Sequence, residues 1–260
     1  MSYIVSVHSY KGGVGKTNLA ANLAALMAAK GMRVGMIDAD LHSPGMHTLF
    51  GIRDEEIERS LNGYLNAEYP VADAAYNVTR NLGVHVEGEL FLVPSSMNPG
   101  EIVRMLNDGF DFNRMTDGLD DLHDELELDM IFIDTHPGIK DDTLLTVAIT
   151  DALLILLRPD QQDYQGTHVI NEVVKRLNIP DVGLVINKMP RSLDVRLVKR
   201  EIEKVYQLPI RQIFPHSDEL MTLASSGVFS LLHPNHPISA QYRELASFVH
   251  EQMKAHAATL

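Results

Sequence analysis

The stretch "YKGGVGKTN", residues 10–18, decides how the rest of the chain is interpreted. It ends in the Gly-Lys-Thr of the Walker A pattern, but Tyr10 stands where that pattern has its opening glycine, and a second lysine, Lys11, follows. The glycines at positions 12, 13 and 15 let backbone amides converge on phosphate oxygens. A helix that begins at Lys16 adds its own unpaired N–H groups. The stretch predicts a phosphate-binding loop and leaves Lys11 unexplained.

The sequence on either side of this loop has the pattern that the motif requires. The strand-like run "YIVSVHS" precedes it, and "TNLAANLAALMAAKG" follows with Leu19, Leu23 and Leu26 at helical spacing. Gly31 stands where a helix C-terminal cap belongs. A chance Gly-Lys-Thr in a simple glycine turn would need neither the strand nor the helix. Lys16 is therefore expected to reach the β- and γ-phosphates of a nucleotide, and the Thr17 hydroxyl to ligate Mg²⁺.

The distribution of apolar residues predicts the fold class. Seven short runs predict strands: YIVSVHS, RVGMID, LFLVP, DMIFID, DALLILLRP, DVGLVIN and IRQIFP. Their continuous apolar character is typical of strands that are covered on both faces. We therefore predict an α/β fold with a doubly wound, mostly parallel sheet of seven to eight strands, helices on both faces and one domain over residues 1–260. The polar stretch 51–84 predicts a surface excursion, and the acidic stretch 111–129 a solvated helix before the fourth strand.

Composition excludes several functions. The 260 residues contain no cysteine, which removes disulfides, thiol catalysis and Cys-ligated clusters and fits a cytoplasmic location. The first residues lack the basic and long apolar regions of a signal peptide. The net charge of −13 shows that the whole molecule is not a basic nucleic-acid binder, but charge acts where it is clustered, so this sum does not exclude a local basic face.

Three aspartates follow predicted strands. Asp38 and Asp40 come just after the second strand, and Asp134 ends the run "MIFID". The carboxyl ends of parallel strands line the ligand crevice of such sheets, so these carboxylates are expected beside the phosphate loop. A single aspartate at a strand end is often only a helix cap. Three of them beside a phosphate loop predict a magnesium site, with water between the carboxylates and the ion.

The stretch "LVINKMP" bears on the choice of base. Asn187 and Lys188 begin an Asn-Lys-x-Asp guanine motif, but Met189 and Pro190 follow, so the aspartate that reads guanine is missing. Adenine is therefore favoured, with Asn187 near the base. Pro215 and His216, after the last strand, are expected to offer backbone contacts to the adenine edge.

Together these residues resemble the ParA/MinD family of deviant Walker A ATPases, whose loop reads KGGxGK[ST]. The resemblance covers nearly the whole chain. It includes "KGGVGKT", "DAD" after the second strand, "DTHPG", the late "NK" and "PHSDEL…YRELA".

The resemblance implies a role for Lys11. In that family the additional lysine contacts the phosphates bound by a second subunit, in a dimer that encloses two ATP molecules. The resemblance further implies that Asp40 positions or activates the attacking water, that Asp38 contacts the ligands of Mg²⁺, and that Asp134 holds the ion through water. Residues 40–45 and 135–140 would form two switch segments, in which His136 only fills the loop.

The implied activity is slow, partner-stimulated ATP hydrolysis that times a dimer switch. The predicted catalytic residues are Lys11, Lys16 and Asp40, and the predicted magnesium residues are Thr17, Asp38 and Asp134. The predicted nucleotide-binding residues are Lys11, Gly12, Gly13, Val14, Gly15, Lys16, Thr17, Asn18, Asn187, Pro215 and His216.

The site of docking is left open between two classes. The first is a positioning or partitioning ATPase that binds DNA without sequence preference through Arg196, Arg200 and Lys204, which share one helix face if the apolar positions 195, 198, 202 and 205 face the core. An ordinary solvated face explains the same pattern. The second class is a regulator that docks only on a protein, in cell-surface, flagellar or division-site assembly. Membrane binding is disfavoured because the last helix, 241–260, has only Arg243 and Lys254 as basic residues.

Overall fold

The computed structural model describes residues 1–108, 111–223 and 225–259, without the side chains of residues 106, 108, 141 and 142. Its eight strands are β1 (Tyr3–His8), β2 (Arg33–Ala39), β3 (Tyr76–Asn77), β4 (Glu89–Val93), β5 (Met130–Thr135), β6 (Ala152–Leu157), β7 (Asp181–Met189) and β8 (Ile210–Pro215). They form one sheet in the order β3-β4-β2-β5-β1-β6-β7-β8. Among these strands of the described residues, only β3 runs antiparallel to its neighbour. The predicted fold class is confirmed.

Helices cover both faces of this sheet. They are α1 (Lys16–Ala28), α2 (Leu61–Leu65), α3 (Pro99–Asp108), α4 (Phe112–Leu126), α5 (Asp141–Ala148), α6 (Gln161–Leu177), α7 (Val195–Tyr206), α8 (Asp218–Leu223), α9 (Phe229–Leu232) and α10 (Pro237–Ala257). The central strand β5 shows the two layers. Met130 and Phe132 pack with α1 and α10, whereas Ile131 and Ile133 pack with α2 and α4 on the opposite face. A third cluster lies around α6 and α7. Burial on both faces explains the continuous apolar runs.

The helix after the phosphate loop ends as the sequence predicts. Gly31 has a φ of 88°. The Met32 N–H donates to the Met27 carbonyl (3.3 Å), and the Gly31 N–H donates to the Ala28 carbonyl (3.0 Å). This pair of bonds is a Schellman motif, and its left-handed residue is tolerated because glycine has no Cβ. The turn sends the chain directly into β2.

Residues 51–84 are not the surface excursion that their polarity predicted. The segment contains α2, β3 and three 3₁₀ turns (Asp54–Glu56, Val71–Ala74 and Thr79–Leu82). Leu61, Tyr64 and Val71 are almost completely buried and pack on the sheet with α4. The periodicity is weak because each element is only two to five residues long, too short to display a helical or strand repeat.

The acidic stretch forms α4 as predicted, but one face of the helix is buried. Met115, Leu119 and Leu122 belong to the core beneath β5. Asp120, Asp121 and their acidic neighbours are exposed. The helix is therefore amphipathic, and only its charged face is solvated.

The predicted core face of α7 is wrong at two of its four positions. Ile202 is buried and Val198 is half-buried, but Val195 and Val205 are 47% and 61% exposed. The helix packs through a narrow stripe that ends at Tyr206, whose hydroxyl donates to the Tyr164 carbonyl of α6 (2.7 Å). A stripe this narrow leaves valines on its flanks in solvent.

The last helix packs on the protein. In α10, Tyr242, Leu245 and Val249 are buried in the cluster that contains α1. These are the apolar positions that would otherwise be available to a lipid surface. Within the described residues, none of the helices combines the length and the apolar character that crossing a bilayer requires.

The burial of residues 51–84 generates a test of stability. Leu61→Ala should lower the free energy of unfolding by about 2–5 kcal/mol, because a side chain that is 1% exposed leaves a cavity when it is truncated. Val84→Ala, in the same segment but 39% exposed, should change it by less than about 0.5 kcal/mol. Urea unfolding followed by circular dichroism measures both. Small and equal effects of the two substitutions would show that residues 51–84 are not buried.

Candidate functional site

The phosphate loop connects β1 to α1 at the carboxyl edge of the sheet. Gly13 and Gly15 have φ values of 72° and 104°, which side chains with a Cβ rarely adopt. Lys16 is the first residue of α1 and is 6% exposed. The N–H groups at the start of α1 have no carbonyls within the helix to pair with. This geometry favours an anion at the helix N-terminus.

Two residues of β7 hold the loop in place. The Asn187 side-chain amide donates to the Val14 carbonyl (2.8 Å), and the Lys188 ammonium group donates to the Gly13 carbonyl (2.8 Å). A Cβ at Gly15 would lie 2.6 Å from Nδ2 of Asn187, so glycine is required there by close approach as well as by φ. The sequence predicts Asn187 near the base and no role for Lys188. The Asn-Lys pair can be recognised in the sequence, but its hydrogen bonds to the loop carbonyls cannot.

Asp38 organises the segment that follows β2. It is buried, and its carboxylate accepts from the backbone N–H groups of Asp40 (3.2 Å), Gly45 (3.0 Å) and Met46 (3.0 Å). Burial raises its pKa, and the three N–H groups oppose that shift. The carboxylate therefore fixes the path of residues 40–46. Its predicted contact with the ligands of Mg²⁺ stays a prediction.

Asp134 and Thr17 fit a magnesium site. The Thr17 hydroxyl donates to Oδ2 of Asp134 (2.5 Å), and Oδ1 of Asp134 is buried without a hydrogen-bond partner among the described residues. Burial raises the pKa of Asp134 to about 7, although the charge of Lys16 opposes the shift. A buried carboxylate with one unsatisfied oxygen beside a hydroxyl is a suitable donor set for a hard cation and its water.

Asp40 is contacted from two directions. Its Oδ1 accepts from the Ser43 N–H (3.1 Å) and lies 2.7 Å from Nδ1 of His136. The His136 ring also packs against the His42 ring, with 4.7 Å between centroids. The sequence predicted that His136 only fills the loop, but its side chain also contacts Asp40 and His42. It connects segment 135–140 to segment 40–45.

A buried histidine with no predicted function lies at the end of β1, next to the loop. His8 ends β1 and is 1% exposed. Its Nδ1 is 2.7 Å from the Thr135 hydroxyl, which donates to the Val7 carbonyl (3.0 Å). Because the hydroxyl proton is used there, Nδ1 of His8 must carry a proton and donate it to the hydroxyl oxygen. Burial, together with the nearby charge of Lys16, lowers the pKa of His8 to about 3.

The first two residues of the motif contact α6. The Tyr10 ring lies against Gly166, where a Cβ would come within 2.0 Å of the ring. The Lys11 ammonium group donates to Gln162 (2.6 Å) and to Asp160 (3.4 Å) and lies 3.5 Å from the carboxylate of Asp163. Tyr10 therefore replaces the missing glycine without obstructing the loop.

These elements enclose a cavity of about 570 Å³, a volume typical of small-molecule sites. Its lining includes Gly12, Gly13, Gly15, Lys16, Thr17, Asn18, Asp38, Asp40, Asp134, His136, Asn187 and Lys188. The lining also includes Leu220, Met221 and Ser225, which follow β8 in the chain. Pro215 ends β8 opposite Met189, and the His216 N–H donates to the Met189 carbonyl (2.9 Å). The contact of Pro215 and His216 with adenine stays a prediction, and so does the assignment of Val14 to nucleotide binding.

The fold and this cavity define a P-loop nucleotide-binding protein whose loop carries the additional lysine of the ParA/MinD type. Residues 2–181 match the family described as an AAA domain, and the chain belongs to that family.

Relatives and solved structures agree with this class. An uncharacterised ATP-binding protein of Methanocaldococcus jannaschii is 24% identical over 95% of this chain and 87% of its own length. An iron–sulfur cluster carrier protein of Pyrococcus abyssi is 30% identical over 71% of this chain and 61% of its own length. The MinD cell division protein of Aquifex aeolicus has a TM-score of 0.77 at 20% identity over 96% of this chain and 98% of its own. MinD of Pyrococcus horikoshii, solved with Mg-ADP, has a TM-score of 0.76 at 19% identity over 96% of both chains. At 19–20% identity, the similarity to these two structures concerns the fold alone.

The buried His8 should make the free energy of unfolding depend on pH. Its pKa is about 3 in the folded chain and about 6.5 when unfolded, so protons favour the unfolded chain as the pH falls below 6.5. Between pH 7.5 and 5.0, wild type should lose about 2 kcal/mol of unfolding free energy relative to His8→Asn. Asparagine keeps an N–H group near Thr135 but does not titrate. Chemical denaturation of both proteins across this range measures the difference, and a constant difference would contradict a neutral His8.

Proposed function

We propose that this protein is a cytoplasmic ATPase whose ATP-bound form is a homodimer and whose hydrolysis of ATP to ADP and phosphate reverses dimerisation. The switch would position or partition a cellular cargo, and turnover would be slow until a partner protein accelerates it. The observation that carries this proposal is the position of Lys11. Lys11 is part of the phosphate loop. Among the described residues of the loop, however, Lys16 lines the cavity of this chain and Lys11 does not.

The surroundings of Lys11 support a role across a subunit interface. Its side chain is partly exposed, and its partners in this chain are the acidic and amide groups at the start of α6. The pair of Lys11 with Asp160 joins two partly exposed side chains, and exposed pairs contribute about 0–1 kcal/mol, so a bound phosphate of a second subunit can compete for the ammonium group. Positive charge from a second subunit would then stabilise the negative charge of phosphoryl transfer. It would also make dimerisation depend on the nucleotide.

The remaining roles follow from the cavity. The loop amides and Lys16 would bind the β- and γ-phosphates, and Thr17 and Asp134 would hold Mg²⁺, which when bound neutralises phosphate charge. Asp40, on a backbone segment fixed by Asp38, would orient the attacking water. Loss of the γ-phosphate would release segments 40–45 and 135–140.

Iron–sulfur carriage is not part of the proposed function. Five relatives carry that name, and this chain spans only 59–61% of their length. The 260 residues contain no cysteine, and thiolates are the usual ligands of such clusters. The proposal therefore rests on the nucleotide site alone.

A second candidate is the regulator that docks only on a protein, with neither DNA nor membrane involved. One observation favours it. The exposed flank of α7 and the start of α6 form a mainly apolar groove of about 340 Å³, lined by Tyr164, Leu197, Val198, Glu201, Ile202, Val205 and Tyr206. An apolar surface of this kind suits a protein partner better than a phosphate backbone. The basic residues Arg196, Arg200 and Lys204 are exposed on the same helix, as the sequence predicted.

The role of Lys11 can be tested in a background that traps ATP. In Asp40→Ala protein, ATP and Mg²⁺ should produce a dimer by light scattering, and adding Lys11→Ala should abolish it. Lys30→Ala is the matched control, because Lys30 is an exposed lysine that lies just beyond the opposite end of α1. Fluorescent-nucleotide binding should remain within about threefold in both variants. A normal dimer without Lys11 would refute the role across the interface.

DNA docking is tested with the same trapped dimer. We expect retention on duplex DNA with ATP but not with ADP. Three cations per chain give six per dimer, which predicts about a 10³-fold loss of affinity between 50 and 200 mM salt. Replacing Arg196, Arg200 and Lys204 together by alanine should remove retention, whereas Arg53→Ala should not. A dimer that ignores DNA at every salt concentration, with hydrolysis stimulated by a protein, would support the second candidate.

A further inference from the structure

His136 joins the two segments that border the phosphate end of the cavity. Its Nδ1 lies 2.7 Å from Oδ1 of Asp40, and its ring packs on His42 at 60° with 4.7 Å between centroids. The side chains of His136 and Asp40 are only 19% and 13% exposed. One side chain of segment 135–140 is therefore fixed at two points to segment 40–45.

The hydrogen bond has a defined direction. An ionised carboxylate can only accept, so Nδ1 of His136 is the donor. Oδ1 of Asp40 also accepts from the Ser43 N–H (3.1 Å), so two donors converge on one oxygen. Two bonds to the same oxygen restrict rotation of the carboxylate and thereby orient its other oxygen, Oδ2. Hydrolysis is faster when the group that binds the attacking water is held in the correct orientation, because the water is then already aligned with the phosphate.

We propose that His136 is a positioning residue for hydrolysis: its Nδ1–H holds the Asp40 carboxylate in the orientation that aligns the attacking water. This inference rests on the proposed function, in which Asp40 orients that water. The stack on His42 restricts the imidazole ring, and the ring presents its donor to Asp40. His136 acts through Asp40 and does not itself need to contact a phosphate.

A packing role for His136 predicts different behaviour. Its ring also borders a small space lined by Leu41, Leu61 and Met115 on the α2–α4 side of the sheet. If the ring only filled this space, its shape would matter and its N–H group would not. Two substitutions separate shape from hydrogen bonding. His136→Phe keeps a ring against His42 and loses the donor, whereas His136→Asn keeps a donor near the position of Nδ1 and loses the ring.

Steady-state ATP hydrolysis by the full chain with Mg²⁺ decides between the two roles. We expect His136→Phe to lower kcat about tenfold with KM for ATP within twofold of wild type, and His136→Asn to keep kcat within threefold. The reverse order, with His136→Phe active and His136→Asn impaired, would overturn the proposal. A loss expressed as higher KM with unchanged kcat would also overturn it. Thermal melting of each variant with bound ADP confirms that folded enzymes are compared.

Asp40→Asn distinguishes failure of this inference from failure of the proposed function. In the Asp40→Asn background, adding His136→Phe should cause no further loss of kcat, because the two residues act through one carboxylate. If Asp40→Asn alone hydrolyses ATP at the wild-type rate, the assigned role of Asp40 fails, and the role of His136 fails with it. If Asp40→Asn is inactive but His136→Phe is fully active, only the inference about His136 fails.

Discussion

Asp38 and Asp134 lie opposite each other in the register of β2 and β5, and both are buried. Two carboxylates placed side by side away from water are costly unless hydrogen bonds and positive charge compensate them. Asp38 is compensated by backbone N–H groups of the segment after β2, and Asp134 by the Thr17 hydroxyl and the nearby Lys16. The shape of the cavity therefore depends on this pair. The loop, the first turn of α1 and segment 40–46 are all arranged around it.

The phosphate loop lies at the same edge of the sheet and is held there by contacts with β7 and α6. Asn187 and Lys188, at the end of β7, bond to loop carbonyls, and Tyr10 and Lys11 at its start contact α6. The loop is thus restrained at its middle by one strand and at its start by one helix. A restrained loop keeps its amides oriented before any anion arrives, which lowers the entropic cost of binding.

Sequence patterns predicted the elements best where they are long and strongly periodic. The long strands and α1 were recognisable because burial on both faces, or on one helical stripe, leaves a clear pattern. Residues 51–84 were misjudged because their elements are two to five residues long. The flanks of α7 were misjudged because spacing identifies an apolar face but not how widely the neighbouring helix covers it. Exposed Val195 and Val205 follow from the narrow contact with α6.

The sequence by itself determined the phosphate loop, the class of the sheet and the aspartates that end its strands, because each is encoded within a few neighbouring residues. The tertiary structure alone decided which distant side chains meet. Asn187 reaches Val14 across 173 positions, and His136 reaches Asp40 across 96. These contacts exist because β5 lies between β1 and β2, and because β7 places its carboxyl end at the loop. Local pattern carries no record of that order, since strand order is set by how the crossover helices pack on the two faces of the sheet.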